Sequence, residues 1–255
     1  MCVIVIKASG IELPDKDILK NCFDSNQDGC GFTYTKEGLN YLYKGFFDFK
    51  SFYDQITEKV KKEYSCIIHF RIATAGKVDE GNCHPFPLTN NVNILRKLEI
   101  ITSKMFVAHN GIIQHSNYNY HHKLSDTQEF IQKILSDKAI YDNLYNSRVI
   151  QELLINYAGE SNKFAFLHSQ KGILLLGKFE KYKDWYFSNN SYKNKTLAIN
   201  DYNFFKKDNF NFTFDDKYNS FCDICQQEIT GKKKFIEIED NIYEVCSDCN
   251  KTYSN

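Results

Sequence analysis

The sequence predicts an α+β fold with layered packing, followed by a small cysteine-rich module. Strand patterns occur in groups with helical patterns between them, which favours layered packing over a regular βαβ winding. Two Cys-x2-Cys pairs stand near the C-terminal end, beyond a polar and aromatic stretch. A chain of 255 residues can hold one large domain and such a module. We predict a domain over residues 2–215 and a module over residues 216–255.

The first half of the chain alternates short strand patterns with two helical patterns. Strands are predicted at Cys2–Lys7, Phe32–Thr35, Leu39–Tyr43 and Cys66–Arg71, and helices start at Pro14-Asp15 and span Ser51–Glu63. Asp28-Gly29 has the composition of a turn that needs a positive φ. In the strand Cys66–Arg71, alternation places His69 and Arg71 on one face and Ile68 on the other.

The second half contains another strand, two helices and a hairpin. The strand Lys104–Ala108 is predicted to end at His109. Ser125 and Gln128 form an S-x-x-Q capping box, which predicts the start of a helix. Further elements are predicted near Arg148–Tyr157 (helix), at Phe164–His168 and Ile173–Leu176 (hairpin), and at Trp185–Phe187 and Thr196–Ile199 (strands).

Composition and charge exclude several classes of protein. Apolar residues make up 42% of the chain and charged residues 25%, as in ordinary soluble proteins. The formal net charge of +0 gives no general attraction to nucleic acid or anionic membranes. No apolar run reaches the ~18 residues of a membrane span, and no signal peptide is recognisable. The 9 cysteines are an odd number, which argues against a disulfide framework. We expect a cytoplasmic protein without a membrane partner.

Cys2 is the first candidate for chemistry. Removal of Met1, which a small second side chain permits, would make Cys2 the N-terminal residue. Its amine, with an ordinary pKa of about 7.7–8.0, could then act as general base for its own thiol, with an ordinary pKa of about 8.5. The cysteines in apolar or turn-like patterns are instead interpreted as packing residues: Cys22, Cys30, Cys66 and Cys83.

A series of short motifs follows Cys2 along the chain. Residues 28–31 read D-G-C-G, residues 69–76 H-F-R-I-A-T-A-G and residues 82–85 N-C-H-P. Residues 107–113 read V-A-H-N-G-I-I and residues 125–127 S-D-T. The set resembles the signature of class II glutamine amidotransferases, which is H-T-R-W-A-T-H-G…N-x-H-P, V-V-H-N-G-I-I and S-D-T behind a cysteine at position two. The resemblance covers roughly the first two-thirds of the chain.

The resemblance implies an N-terminal nucleophile hydrolase fold, a four-layer α/β/β/α sandwich with two mainly antiparallel sheets between helical layers. It also implies removal of ammonia from the side-chain amide of glutamine through a thioester on Cys2, whose amine relays protons. Asn110 would donate from its side chain, and Gly111 from its backbone N–H, to the developing oxyanion. No cofactor is implied for catalysis.

The resemblance also assigns the residues that hold the substrate. Arg71 would bind the α-carboxylate with its planar guanidinium, Asp126 would pair with the α-ammonium, and Thr74 would support the carboxylate end. This division makes chemical sense, because a free amino acid carries one anion and one cation on the same carbon. The motif histidines are assigned to the scaffold: His69, His84 and His109.

Two positions depart from the family pattern and keep other hypotheses open. Ile72 stands where Trp is usual, and Ala75 stands where a second His is usual. Both positions shape the wall around glutamine in the family, so an N-terminal-Cys hydrolase of a different small amide is the first alternative. The second alternative is a non-catalytic binding protein whose cysteine module engages a partner or nucleic acid.

The ammonia acceptor is not evident in the sequence. Large class II amidotransferases join this domain to a synthase, and the chain contains no segment of that size. We therefore expect either a separate ammonia-accepting synthase or a free-standing amidohydrolase. Residues 232–234 are three lysines that could contact nucleic acid, but three acidic residues within 237–240 favour a solvated face.

The C-terminal cysteines have the spacing of a structural zinc site. They are two Cys-x2-Cys pairs with twenty residues between them: Cys222, Cys225, Cys246 and Cys249. Zinc sites of this type separate the pairs by about 15–20 residues. Four thiolates give a closed tetrahedral site with no position for water. A hairpin is predicted between the pairs, from Lys233–Glu239 and Asn241–Val245, and the metal would supply much of the folding free energy of this zinc-ribbon-like module.

Overall fold

The computed structural model describes residues 2–73, 76–113, 124–193, 220–221, 228–229, 234–238, 241–248 and 251. The chain forms two compact units, Met1–Asn200 and Asp201–Asn255. The predicted boundary at residue 216 and the predicted strand Thr196–Ile199 lie outside the described residues. In the described ranges, every helix is too short or too polar to cross a membrane.

Two antiparallel sheets form the framework of the first unit. Its strands in chain order are β1 Val3–Lys7, β2 Cys30–Lys36, β3 Leu39–Phe46, β4 Cys66–Phe70, β5 Phe86–Pro87, β6 Glu99–Thr102, β7 Phe106–Asn110, β8 Lys163–His168, β9 Gly172–Leu176, β10 Glu180–Tyr182 and β11 Trp185–Phe187. A seven-stranded sheet has the order β10-β11-β1-β4-β2-β3-β6, and a four-stranded sheet has the order β5-β7-β8-β9. The predicted α+β class with antiparallel sheets is confirmed.

The helices of the first unit follow local sequence signals. In chain order they are α1 Lys16–Asp24, α2 Phe49–Lys59, α3 Val92–Leu95, α4 Asp126–Phe130 with a wider turn over Ile131–Leu135, α5 Lys138–Asn143 and α6 Arg148–Ala158. The predicted capping box is present at the start of α4, where Ser125 and Gln128 cap each other's backbone N–H groups. Helix α2 begins earlier than predicted, because the Asp48 side chain accepts from the Ser51 N–H at 2.8 Å.

One face of the seven-stranded sheet packs against helices. Val3 and Ile68 on this face belong to the same buried cluster as Leu19 of α1 and Phe52 of α2. Helix α1 buries Leu19, Cys22 and Phe23, whose spacing places them on one side of the helix. The predicted helical and strand periodicities of this region are therefore confirmed.

The opposite face of the seven-stranded sheet packs against the four-stranded sheet. Ile4 of β1 and Ile67 of β4 share a buried cluster with Ala108 of β7 and Ala165 of β8. Because side chains alternate along a strand, β1 and β4 are covered on both faces and every residue in them is buried.

The other face of the four-stranded sheet packs against the second group of helices. Val107 and Phe164 share a cluster there with Phe130, Leu135 and Leu154. Strand β7 differs from the prediction, since it runs two residues further, to Asn110, which pairs with Lys163 of β8. This extension places the motif residue Asn110 at the last position of a buried strand.

The described residues of the second unit form two short antiparallel pairs. They are β12 Ser220–Phe221 with β13 Glu228–Ile229, and β14 Lys234–Ile238 with β15 Asn241–Val245. The hairpin predicted between the cysteine pairs is confirmed in β14 and β15. Cys246 follows β15 and is half-buried, while the other three predicted zinc ligands, Cys222, Cys225 and Cys249, lie outside the described residues.

Candidate active site

Cys2 lies immediately before β1, with its thiol against the chain that leaves β4. Its Sγ donates to the Ile72 carbonyl at 3.2 Å, and the Ile72 N–H donates to the sulfur at 3.3 Å. The Cys2 carbonyl accepts from Asn189 Nδ2 at 2.6 Å. The register Val3↔Phe70 between β1 and β4 brings Cys2 level with Arg71. Cys2 is therefore positioned by backbone pairing and by residues from two other chain segments, Ile72 and Asn189.

The surroundings of Cys2 set the charge on its sulfur. Burial raises the pKa of the thiol; the bond from Ile72 and the Arg71 guanidinium oppose this rise, and the Asp126 carboxylate adds to it. The net direction is upward, so the thiol is protonated at neutral pH and needs a base before it can attack. Arg71 and Asp126 are distant in sequence, yet both lie close enough to Cys2 to act on its charge.

Arg71 follows β4 and is only 2% exposed. Its Nη1 donates to the Lys77 carbonyl at 3.0 Å, and its backbone N–H donates to the Gly29 carbonyl at 2.9 Å. The neighbouring Asp28 accepts from the Ala73 N–H at 2.8 Å. The Asp28-Gly29 turn therefore frames the segment that carries the buried guanidinium.

Gly29 is required in this turn for two reasons. Its φ of +104° is unfavourable for other residues, and a Cβ there would lie 2.4 Å from Cys83 Sγ. Cys83 is itself fully buried, and Arg71 lowers the pKa of its thiol against the larger effect of burial, which raises that pKa to about 11. The D-G-C-G motif at residues 28–31 thus supports the site through its backbone.

Asn110 is the last residue of β7 on the four-stranded sheet, and Gly111 follows it. Asn110 is 1% exposed, and its Nδ2 donates to Ser188 Oγ at 2.8 Å. The same hydroxyl oxygen accepts from the Ile4 N–H at 2.8 Å, so Ser188 connects Asn110 to β1, two residues beyond Cys2. One N–H of the Asn110 amide remains for another acceptor, because an NH2 group has two donors.

Asp126 is the first residue of α4 and is 7% exposed. Its Oδ1 accepts from the Thr127 N–H at 2.7 Å, and its Oδ2 accepts from the Ile113 N–H at 3.1 Å. Two backbone N–H groups therefore hold the carboxylate at the start of α4. Asp126 can thus present a negative charge to a cationic group beside Cys2.

The motif histidines lie behind these residues. His69 Nε2 contacts the His109 carbonyl at 3.0 Å, which joins β4 of one sheet to β7 of the other. Burial lowers the pKa of His69 to about 3, so the ring is neutral and Nε2 donates to the carbonyl. His84 stacks on His69 with ring centroids 4.2 Å apart. These contacts agree with the predicted scaffold role.

The structure places five of the six predicted substrate and catalytic residues in described segments. Arg71 and Asp126 both act on the charge of the Cys2 thiol, and the Asn110-Gly111 turn is joined to β1 through Ser188. The sixth, Thr74, and the neighbouring family departure Ala75 lie outside the described residues.

Sequence reasoning missed three polar residues that hold the site: Asn162, Ser188 and Asn189. Their partners are distant in sequence, and none stands in one of the recognised motifs. Asn162 is fully buried in the turn before β8. The only available signal was a polar residue next to a predicted strand, which is common in turns.

No group of three or more His, Cys, Asp and Glu side chains that could hold a metal ion occurs in the described part of the chain. Of the four C-terminal cysteines, only Cys246 lies in that part of the chain.

The chain is similar in structure to proteins of known structure, although its sequence matches neither a family model nor a curated protein. The fold is similar, with a TM-score of 0.45 and 18% sequence identity, to the glutamine phosphoribosylpyrophosphate amidotransferase of B. subtilis, solved in complex with ADP and GMP. The match covers 73% of this chain and 41% of that one, so this chain spans well under half the length of that protein.

Proposed function

We propose that the protein hydrolyses the side-chain amide of glutamine to glutamate and ammonia through a thioester on Cys2. The observation that carries the proposal is that a buried guanidinium and a buried carboxylate from two other chain segments, Arg71 and Asp126, lie close enough to Cys2 to act on the charge of its thiol. The resemblance of their motifs to class II glutamine amidotransferases supports the same reading.

Substrate recognition would use the two opposite charges. Arg71 binds the α-carboxylate through its planar guanidinium, with Thr74 supporting that end, and Asp126 pairs with the α-ammonium. Both groups are buried, so their interactions with a bound ion are less screened than on the surface. A free amino acid satisfies both groups at once, whereas a simple amide satisfies neither.

The chemical steps would start with a free Cys2 amine, which requires removal of Met1. The amine takes the thiol proton, the sulfur attacks the amide carbon, and a C–S bond forms while the carbonyl oxygen becomes an oxyanion. Asn110 Nδ2 and the Gly111 N–H donate to that oxyanion, and each such donor contributes about 2.7–4 kcal/mol in comparable sites. The C–N bond then breaks, with the proton returned to the departing ammonia. Water attacks the thioester, which releases glutamate and restores the thiol.

The fold proposed for this chemistry is the four-layer α/β/β/α sandwich of N-terminal nucleophile hydrolases. Three buried clusters support the order of layers: helices α1 and α2 on the first sheet, the two sheets on each other, and helices α4 and α6 on the second sheet.

The test compares wild type with Cys2→Ala on glutamine, with glutamate and ammonia measured. We expect glutamate release that falls to background in Cys2→Ala, because loss of a nucleophile typically costs about 10⁶-fold. Cys66→Ala is the matched control. It removes a buried thiol from the helix-facing side of β4 and should keep the activity. The intact mass of the active protein should lack Met1. Activity that survives in Cys2→Ala would refute the proposal.

A panel of amides separates the alternative functions. Release of ammonia from asparagine or other amides but not from glutamine would favour hydrolysis of a different substrate, which the departures at Ile72 and Ala75 motivate. Silence on every amide together with a retained Met1 would favour a binding protein. Strong turnover by the protein alone would favour a free-standing hydrolase, and turnover that needs an added synthase would favour a subunit.

We also propose that the C-terminal cysteines bind one structural zinc ion. The spacing of the four cysteines and the hairpin β14–β15 between the pairs support this, and tetrahedral thiolate coordination would stabilise a module with little core. Metal analysis of the purified protein should give about one zinc per chain by this coordination. The metal should be lost in Cys246→Ser and kept in Cys66→Ala. A metal-free folded module would refute the site.

A further inference from the structure

A buried series of hydrogen bonds runs from the end of α6 to the Asp126 carboxylate. It begins at Asn162, whose Nδ2 lies 2.6 Å from the Ala158 carbonyl, 3.0 Å from the Gly159 carbonyl and 3.2 Å from the Ile112 carbonyl. Carbonyl oxygens accept and do not donate, so this atom must be the amide nitrogen. Asn162 Oδ1 is therefore the atom that faces His109 Nε2, at 2.7 Å.

This orientation determines the proton position on His109. Because Asn162 Oδ1 can only accept, His109 Nε2 must carry a hydrogen. Burial lowers the pKa of His109, although the Asp126 charge and the bond to Asn162 oppose that shift, so the ring is neutral. Its Nδ1 therefore holds a lone pair and accepts from Thr127 Oγ1, which lies 2.7 Å away.

The Thr127 hydroxyl has one proton and two neighbouring acceptors. Its oxygen lies 2.7 Å from His109 Nδ1 but 3.3 Å from Asp126 Oδ1, so the proton goes to the imidazole. The hydroxyl thereby gives the Nδ1 lone pair a donor, and a hydrogen bond to the neutral form of a group disfavours its protonation. Asp126 keeps its backbone bonds from Thr127 and Ile113.

The same asparagine also touches the turn that would hold the oxyanion. Its Nδ2 holds the carbonyl of Ile112, and a Cβ at position 111 would lie 2.1 Å from its Oδ1. Asn162 is thus in contact with both the Gly111 turn and the histidine that faces Thr127. One buried side chain connects the two parts of the site that lie on the second sheet.

We propose that Asn162, His109 and Thr127 are positioning residues for Asp126. Asn162 holds the hydrogen of the buried ring on Nε2, and Thr127 donates to Nδ1 and keeps that nitrogen unprotonated. The charge of Asp126 is thereby reserved for the α-ammonium of the substrate. The relay thereby makes a free amino acid, rather than any primary amide, the preferred substrate class. This inference rests on the proposed glutamine hydrolysis for its substrate.

The first test measures substrate preference in Thr127→Val, which keeps the shape and removes the hydroxyl. Glutamine is compared with glutaramate, which has the same amide and carboxylate but no α-ammonium. We expect KM for glutamine to rise about 10-fold, because a protonated His109 ring would compete with the α-ammonium for Asp126, a loss similar to that of one hydrogen bond to a charged group. KM for glutaramate should stay nearly unchanged. Thr127→Ser should restore the preference for glutamine.

Thr33→Val is the matched control for this test. The Thr33 hydroxyl is buried, has no hydrogen-bond partner within the described residues, and lies on β2, away from the relay. This control should leave the KM ratio of the two substrates unchanged. Equal losses on both substrates in Thr127→Val, or an unchanged ratio, would overturn the proposed role.

The second test reads the proton directly and does not depend on activity. The ¹⁵N spectrum of labelled protein, with His109 identified by its loss in His109→Gln, should show a neutral ring with hydrogen on Nε2. In Thr127→Val the ring should become protonated near neutral pH. A wild-type imidazolium, or hydrogen on Nδ1, would overturn the relay. If wild type released no glutamate, the proposed function and the substrate role would fall together, and this spectrum would still decide the relay.

Discussion

The two sheets contribute different halves of the candidate site, and they hold their residues in different ways. On the seven-stranded sheet, Cys2 and Arg71 are held by backbone bonds, to Ile72 and to Gly29. On the four-stranded sheet side, Asp126 and the Gly111 turn contact a network of buried side chains centred on Asn162. The reactivity of the Cys2 thiol is thus set mainly by burial and nearby charge. The placement of Asp126 and of the Gly111 turn is set mainly by hydrogen-bond geometry.

This contrast separates the expected effects of substitutions. Changes near Cys2 should alter the pH at which the thiol reacts, because charge and burial set its pKa. Changes near Asn162 should alter turnover and substrate preference, because they move donors and acceptors. Substitutions of Gly111, Arg71 and Asn189 test this division, in addition to the loss of activity expected for Cys2→Ala.

The largest further effect is expected for Gly111→Ala. The φ of Gly111 is +150°, and an added Cβ would lie 2.1 Å from Asn162 Oδ1, so the turn must move. Displacement of one oxyanion donor should lower kcat about 10²–10³-fold. Steady-state kinetics and thermal unfolding would measure this.

Gly38→Ala is the control for that variant. Gly38 has a φ of +75°, and nothing lies within 4 Å of an added Cβ. It should cost about 1–2 kcal/mol of stability from backbone strain while keeping the activity. Equal kcat in both variants would show that the Gly111 turn does not contribute a donor.

The next effect is expected for Arg71→Met on glutamine binding. Loss of hydrogen bonds from a charged group typically costs about 1.5–3 kcal/mol, so KM should rise about 10- to 100-fold. Arg96→Met is the control, because Arg96 pairs with Asp79 at 3.1 Å and is not among the charges that act on Cys2. A similar rise in KM for both variants would contradict a specific role of Arg71.

Arg71→Met should also change the reactivity of Cys2 with pH. A positive charge favours the thiolate and lowers its pKa, so its removal should move the pKa further above the ordinary value. Alkylation of Cys2 by iodoacetamide, followed by peptide mass spectrometry, should then need a higher pH than in wild type. Arg96→Met should leave this profile nearly unchanged, and a downward shift in Arg71→Met would contradict the electrostatic account.

The smallest effect is expected for Asn189→Ala. Its Nδ2 donates to the Cys2 carbonyl at 2.6 Å, and a hydrogen bond of this kind contributes about 1 kcal/mol. Turnover should fall by several-fold as the thiol becomes less well held. The neighbouring exposed Asn190→Ala is the control and should behave as wild type.

Much of the local structure could be predicted from the sequence, because it depends on short-range patterns. The alternation in Cys66–Phe70 predicted a strand with two different faces, and the structure places Ile68 against helices and Ile67 against the other sheet. The Ser125–Gln128 capping box predicted the start of α4. Strand β6 was missed, because it is a four-residue edge strand in which Ile101 is exposed.

The candidate residues were also predicted from the sequence alone, through the resemblance of their motifs, in order, to a known family. A thiol at position two, an arginine after a buried strand and a carboxylate at a helix start are chemical features that need no coordinates. Their proximity is different, since it depends on β1 lying between β4 and β11 and on the second sheet covering that face.

Only the tertiary structure decided which other side chains hold the site. Ser188 joins Ile4 to Asn110, and Asn162 joins His109 to the Gly111 turn, through contacts between distant parts of the chain. Local periodicity reports which face of an element is buried, but it does not report which buried face meets which. The sequence by itself therefore determined the reactive groups, and the packing of two sheets decided how their protons and charges are arranged.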